Sequence, residues 1–324
     1  KQLQKKLDTF KIKGDIDRWR GNISAQCLAF AKNPPGLYQL IVPTGGGKTL
    51  ASLGYALEHA VVHEKERIFY IAPFNSILEQ NCDVFRKIIK DDSLLLEHHC
   101  NVEDDSEDYE LLAQTWDCPI IATTMVQFLN ALFSHKTTAI RRLHRLANAI
   151  IIVDEVQAMP LKCVGLFNLA MNFLTKVCGS TIILCSATQP LLDQVEFAPM
   201  AFSDPKSILT GIDESFIKFK RTEIKNKTKF SRTYEEAADF IAKKCKKNGN
   251  VLAIVNTKKS AATLFDLLRK DRNTAYKIYH LSTNMCPAHR RNILKKIKAS
   301  LENKEPLICI ATQLVEAGVD ISFH

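Results

Sequence analysis

"LIVPTGGGKTL", residues 40–50, sets three glycines and a lysine directly behind an apolar run. A strand ending at Val42, a glycine-rich turn and a helix opening at Gly47 and Lys48 form the arrangement that holds nucleotide phosphates. Backbone N–H groups of the turn and of the helix N-terminus point at the anion, and glycine lets the backbone come close. Thr44, Gly45, Gly46 and Gly47 line such a cradle, Lys48 reaches the β and γ phosphates, and the Thr49 hydroxyl ligates magnesium. The strict pattern has glycine where this chain has Val42, so the match is to a looser form. A chance Gly-Lys-Thr is the plain alternative, and the strand-turn-helix setting weighs against it.

Outward from that turn, short apolar runs alternate with amphipathic stretches. "YQLIV" (38–42), "RIFYIA" (67–72), "PIIAT" (119–123), "AIIIVDE" (149–155) and "STIILCSAT" (180–188) read as strands. They are rich in β-branched residues and nearly continuous, as strands buried on both faces are. Helix-length segments such as 47–62 and 75–90 lie between them. Alternating strands and helices imply right-handed crossovers and a parallel sheet covered on both sides.

The pattern weakens near 190–230, where "FIKFKRTEIKNKTKF" reads as a basic strand, and then resumes. Helices at 233–247, 259–270 and 287–301 alternate with strands at 251–256, 276–281 and 307–312. The expected organisation is a basic linker over 1–20, a first α/β domain over 21–205 and a second, cut short, over 206–324. The chain opens on "KQLQKKLDTFKIKG" without methionine, as an excerpt or processed form does.

Carboxylates complete the phosphate chemistry. "IIIVDEVQ" (150–157) runs a strand into Asp154 and Glu155, at the carboxyl end where ligands of parallel sheets sit. Asp154 is placed to hold magnesium through water and Glu155 to orient and deprotonate an attacking water. "CSAT" (185–188) ends the next strand in two hydroxyls, Ser186 and Thr188. They read either as helix caps or as a sensor linking phosphate occupancy to domain movement. Three such elements on three strands point to ATP binding.

Composition bounds the remaining possibilities. The 324 residues carry 44 Lys and Arg against 35 Asp and Glu, a net charge of +9, which fits a polyanionic partner without requiring one. No apolar run approaches the ~20 residues of a membrane span. Ten cysteines are scattered without a C-x-x-C pair, the usage of reduced thiols in a cytoplasmic protein. "EDDSEDYE" (103–110) reads as a solvated loop and "HHC" (98–100) as no metal site. The basic clusters "RRLHR" (141–145), "KKCKK" (243–247) and "RRNILKKIK" (290–298) fall on expected helices, where solvated faces are the commoner use.

With "PTGGGKT", "DEVQ" and "SAT" together, the chain resembles a superfamily 2 helicase with two tandem RecA-like domains. More narrowly, it resembles the helicase core of the helicase–nuclease of type I CRISPR–Cas systems. "FYIAPFNSILEQN", "IIATTMVQFLNALFSHKTTAIRRLHRLANAIIIVDEVQAMP" and "ICIATQLVEAGVDIS" carry this likeness over roughly residues 20 to 324. The resemblance implies that Gln26 reads adenine and that Pro73, Phe74, Asn75, Thr123 and Thr124 touch the nucleic-acid backbone. It also implies that Thr312, Gln313 and Glu316 line a cleft between domains and that Asp320 lies near ribose and water. Gln157 stands where many relatives have histidine and cannot become charged. ATP and Mg2+ are the implied cofactors. Single-stranded DNA, tracked 3′ to 5′, a Cascade-type guide-RNA surveillance complex and a nuclease domain in the same or a companion chain are the implied partners, with no membrane.

Two departures matter. The family's final arginine motif, worth about three to five orders of magnitude in rate in related enzymes, does not occur before residue 324. Residues 1–324 alone are therefore expected to bind ATP but hydrolyse it poorly. No His-Asp pair occurs either, so no nuclease residues are assigned. Two other readings stay open: another DNA or RNA helicase of the superfamily, or a non-catalytic nucleic-acid-binding scaffold that retains ATP.

Overall fold

The β-branched runs become strands whose side chains alternate between two buried faces. The computed structural model describes residues 3, 14–102, 106–188, 190–194, 205–211, 216–217, 219, 222–229, 231–270, 276–282, 284–313 and 321–323. The chain divides into two compact units, Lys1–Thr222 and Glu223–His324.

In the first unit the elements run α1 (Asp15–Phe30), β1 (Leu37–Ile41), α2 (Lys48–Val62), β2 (Arg67–Ala72), α3 (Asn75–Ile89) and β3 (Leu95–His98). They continue as α4 (Glu107–Thr115), β4 (Ile120–Thr124), α5 (Met125–Phe133), α6 (Thr137–Ile140), β5 (Ala149–Val153), α7 (Val164–Lys176), β6 (Thr181–Ser186) and β7 (Lys206–Ser207). The strands form one seven-stranded sheet in the order β3-β4-β2-β5-β6-β1-β7, and every pairing is parallel.

Alternation along single strands builds the two cores. In β2, Ile68, Tyr70 and Ala72 join a cluster with Ile23 and Cys27 of α1, Leu53 and Tyr55 of α2, and Leu78 and Phe85 of α3. Phe69 and Ile71 point the other way, into a cluster with Trp116, Phe128 of α5 and Phe167 of α7. β5 divides likewise, Ile150 and Ile152 against Ile151 and Val153. A helix–sheet–helix sandwich follows, with the loops at the carboxyl ends of the strands left to carry polar groups.

The second unit repeats the plan with α8 (Tyr234–Asn248), β8 (Asn250–Ile254), α9 (Lys258–Lys270), β9 (Lys277–Leu281), α10 (Pro287–Glu302) and β10 (Leu307–Ala311). Its strands pair in parallel in the order β8-β10-β9. Thr233 and Glu236 close a reciprocal capping box at the start of α8, and Gly249 (φ 85) ends it. Central β10 places Ile308 and Ile310 against α8 and α9, and Leu307, Cys309 and Ala311 against Ile297 of α10.

The fold agrees with the α/β expectation and departs from it locally. Strand β3 is an addition to the strands expected from sequence: Leu95 and Leu96 are buried where it pairs with β4. Of the acidic run, residues 107–110 are helical rather than loop. Ser106 accepts the Tyr109 N–H and caps α4, whose first turn holds Glu107, Asp108 and Glu110 against the positive end of the helix dipole. "RRLHR" lies on a turn and a short 3-10 segment rather than a helix, because Arg142 is turned inward over the Trp116 ring at 5.2 Å and Arg145 pairs with Asp117 at 3.0 Å. No strand occurs among the described residues of 216–230. The units meet at 222/223 rather than 205/206, because Lys206 and Ser207 extend the first sheet by pairing with Tyr38 and Gln39. All ten cysteines are free thiols. Among the described residues no helix is long and apolar enough to cross a membrane.

Candidate active site

The turn between β1 and α2 needs its glycines for two different reasons. Gly45 (φ 81) and Gly47 (φ 85) adopt left-handed backbone that other residues rarely take. At Gly46 the constraint is space: a Cβ there would lie 2.6 Å from Val42 Cγ1 and 2.9 Å from the Pro43 carbonyl oxygen. Gly46 N–H donates to that same oxygen at 2.8 Å, which tightens the turn. Arg20 on α1 braces it from outside, donating from Nε to the Gly45 carbonyl at 2.8 Å and from Nη1 to Asp17 at 3.1 Å.

The charged residues gather at one corner of the sheet. β5 lies two strands from β1, and its end delivers Asp154, only 3% exposed, beneath the first turn of α2. Lys48 Nζ lies 2.8 Å from Asp154 Oδ1 and also donates to Glu155 Oε1. Burial acts to lower the Lys48 pKa, but the two carboxylates outweigh it and hold the ammonium above its usual value. Glu155 turns into the left-handed region (φ 48, ψ 49), a conformation that costs an ordinary residue about 1–2 kcal/mol. The short 3-10 turn Val156–Ala158 that follows lets Gln157 Nε2 donate to Glu155 Oε2 at 2.5 Å.

Two residues that the sequence reading passes over complete this corner. Tyr70 of β2 donates its hydroxyl to Asp154 Oδ2, and Asn81 of α3 donates Nδ2 to the Tyr70 oxygen at 2.7 Å. The Thr49 hydroxyl lies 3.4 Å from Asn81 Oδ1. Burial and the Asp154 carboxylate raise the Tyr70 phenol well above its ordinary pKa, so it remains a donor. Both residues carry a faint sequence signal. Tyr70 places a hydroxyl inside the apolar stretch "IFYIA", and Asn81 sits on the α3 face that buries Leu78, Cys82 and Phe85.

The other expected site residues divide by position. The Val42 N–H donates to the Ser186 carbonyl at 3.0 Å, so β6 runs beside the phosphate loop, and the Ser186 hydroxyl donates to the Thr188 carbonyl. Thr44 and Thr188 are exposed. Gln26 is half-buried, and its Oε1 accepts from the Thr210 N–H at 2.9 Å and the Thr210 hydroxyl at 3.2 Å. Pro73, Phe74 and Asn75 form the turn into α3, where Phe74 is 50% exposed and Asn75 Nδ2 donates to Cys100 Sγ at 3.2 Å. Thr123 is fully buried with its hydroxyl donated to the His98 carbonyl at 2.8 Å, so that side chain presents no surface to a ligand. Thr124 caps α5 by accepting the Gln127 N–H at 3.3 Å. In the second unit Thr312 is buried at the end of β10 and Gln313 is exposed. Glu316 and Asp320 lie outside the described residues.

These features, a glycine turn braced over a buried lysine–carboxylate cluster, meet a family pattern. The DEAD/DEAH box helicase model matches residues 27–196, more than half of the chain. The chain belongs to the DEAD/DEAH box helicase family. A second model, described as the C-terminal part of the CRISPR-associated nuclease/helicase Cas3, matches residues 247–324 of this helicase-family chain. Two curated relatives carry the description CRISPR-associated nuclease/helicase Cas3. That of Haloferax volcanii is 24% identical over 90% of this chain, and that of Methanothermobacter thermautotrophicus is 22% identical over 88%. The chain spans 43% and 35% of the lengths of those two proteins. The crystal structure of T. fusca Cas3 with AMPPNP superposes with a TM-score of 0.74 at 16% identity, covering 99% of this chain and 42% of that one, which establishes the shared RecA-like fold.

The donor set also fits a hard divalent cation. Thr49 offers a hydroxyl and Asp154 a carboxylate with Glu155 beside it, the oxygen ligands that magnesium takes when phosphates supply the rest of its shell.

Proposed function

We propose that this chain is the motor of an ATP-dependent helicase that moves along single-stranded DNA, 3′ to 5′, in CRISPR interference. The observation that carries the reading is the corner itself. Lys48 lies against both Asp154 and Glu155 at the mouth of a turn that calls for glycine at positions 45, 46 and 47. Matches to a helicase family and to a Cas3 C-terminal region support the assignment.

In this reading the turn from Thr44 to Gly47 and the α2 N-terminus bind the triphosphate of ATP, and the Lys48 ammonium pairs with its β and γ oxygens. Thr49 and Asp154 hold magnesium, which when bound neutralises phosphate charge. Glu155 accepts the proton of the attacking water, and Gln157, bonded to it, fixes its orientation. Gln26 recognises adenine, with Thr210 setting the rotamer of its amide. Ser186 and Thr188 pass phosphate occupancy to the second unit, where Thr312, Gln313 and Asp320 take part. The turn at Pro73, Phe74 and Asn75 grips the DNA backbone, and the Thr123–Thr124 segment contributes backbone groups and position rather than a free Thr123 hydroxyl. A Cascade-type surveillance complex delivers the target and a nuclease domain degrades it.

The deciding experiment replaces Glu155 by Gln in a full-length version of the protein, because residues 1–324 alone are expected to hydrolyse ATP poorly. ATP binding should persist while hydrolysis falls by about 10²- to 10⁴-fold, the usual contribution of a positioned proton acceptor. Single-stranded DNA should stimulate the parent protein more than duplex DNA or RNA does. Stimulation by RNA alone, or an E155Q protein that turns over normally, would overturn the assignment.

A further inference from the structure

The two metal-facing residues, Thr49 on α2 and Asp154 after β5, are joined by an unbroken path of hydrogen bonds through the interior. Thr49 Oγ1 lies 3.4 Å from Asn81 Oδ1, Asn81 Nδ2 lies 2.7 Å from the Tyr70 oxygen, and Tyr70 donates to Asp154 Oδ2. Tyr70 is 1% exposed and Asn81 8%. Neither belongs to the phosphate loop or to the acidic pair.

Chemistry dictates the direction of every bond in this path. An ionised carboxylate only accepts, so the Tyr70 hydrogen points at Asp154. The phenol oxygen must then accept from Asn81, which turns the amide so that its N–H faces Tyr70 and its oxygen faces Thr49. That oxygen in turn draws the Thr49 hydrogen toward itself. The lone pairs of the Thr49 oxygen are left free on the side away from Asn81, as a hydroxyl that ligates a cation requires. At the other end Tyr70 occupies Oδ2 of Asp154, while Oδ1 faces Lys48 at 2.8 Å and the Glu155 N–H at 3.0 Å. One carboxylate oxygen is thus pinned from behind and the other is presented to the phosphate side.

We propose that Tyr70 and Asn81 are positioning residues that hold Thr49 and Asp154 in the orientation that binds magnesium with the nucleotide. This rests on the phosphate-site reading given under Proposed function. It goes further by assigning a role to two interior residues that lie outside the phosphate loop and the acidic pair. Groups that orient metal ligands from behind typically matter by about 10- to 100-fold in metal affinity.

The test titrates MgCl2 against binding of a fluorescent ATP analogue to the full chain, with parallel nucleotide titrations in EDTA. Wild type, Tyr70→Phe, Asn81→Ala and a Lys48→Ala control are compared, each with a thermal melt. Tyr70→Phe keeps the buried ring and removes one hydroxyl. It and Asn81→Ala should each raise the magnesium concentration at half-maximal binding by about 10- to 100-fold and leave nucleotide affinity in EDTA unchanged. If one variant shows no cooperative melt, the other decides. An unchanged magnesium midpoint, or equal losses with and without magnesium as a merely structural role would give, overturns the proposal. If wild type itself binds no nucleotide, the phosphate-site reading fails instead, and the Lys48→Ala control identifies binding elsewhere.

Discussion

The two ends of the first sheet's working edge solve the burial of polar groups in opposite ways. At the inner corner, side chains of opposite charge converge from α2 and the end of β5, and Tyr70 and Asn81 support them from below. At the outer edge, where β3 meets β4, the polar groups close on local partners. Thr123 bonds the His98 carbonyl, Thr124 caps α5, and the Trp116 indole donates to His98 Nδ1 at 3.3 Å. The inner corner keeps charges close together, where the attraction of Lys48 to Asp154 and Glu155 outweighs the cost of burying the ammonium. The outer edge also holds charge, but pairs it on its own side chains: Glu97 of β3 lies 2.7 Å from Arg86 and 2.9 Å from His99 Nε2.

Breaking the inner corner should have the largest effect. Lys48→Ala removes the cation from between two carboxylates and should weaken ATP binding by on the order of a hundredfold or more, the scale of truncating one member of a buried charge cluster. Isothermal titration calorimetry checks it, and wild-type affinity would erase the distinction between the two regions.

Acidification should weaken the first unit next. Burial holds the His98 imidazole down at about 4 against 6.5, with Arg142 and His99 adding to the effect. Burial likewise holds His59 at about 4, despite its hydrogen bond to the Ala31 carbonyl. Between pH 6.5 and about 4 the unfolded chain takes up protons on these groups and the folded chain does not, so stability falls as pH falls. The melting temperature should drop steadily across that window. His98→Gln should flatten the slope, and an unaltered slope would remove the outer edge from the effect.

The smallest change is expected from Thr124→Ala. It removes a helix cap worth about 1 kcal/mol and should lower the melting temperature by about 2–4 °C in a unit of this size. ATP affinity should stay unchanged. A loss of ATP affinity would join the two regions that the structure separates.

Much of this was legible in the chain alone because it rests on short-range pattern. Continuous runs such as "AIIIV" cannot be half-exposed, so they announce a doubly covered parallel sheet. Three glycines before Lys48 and an acidic pair after a strand each carry their geometry with them. Other features did not read out, and the reasons are physical. Strand β3 is short, and its burial comes from its neighbour β4 rather than from a period of its own. Residues 206–207 join the first sheet through a pairing with β1 that lies far back in sequence. The arginines of "RRLHR" look solvated until Trp116 and Asp117 are found against them.

What the sequence determined by itself was the local arrangement: a glycine-rich turn before a lysine and a carboxylate pair on alternating strands and helices, because backbone geometry and charge are encoded locally. Only the tertiary structure decided which neutral residues hold that arrangement in place. Tyr70 and Asn81 acquire their partners, and the directions of their hydrogen bonds, from four segments that meet only once the sheet has closed.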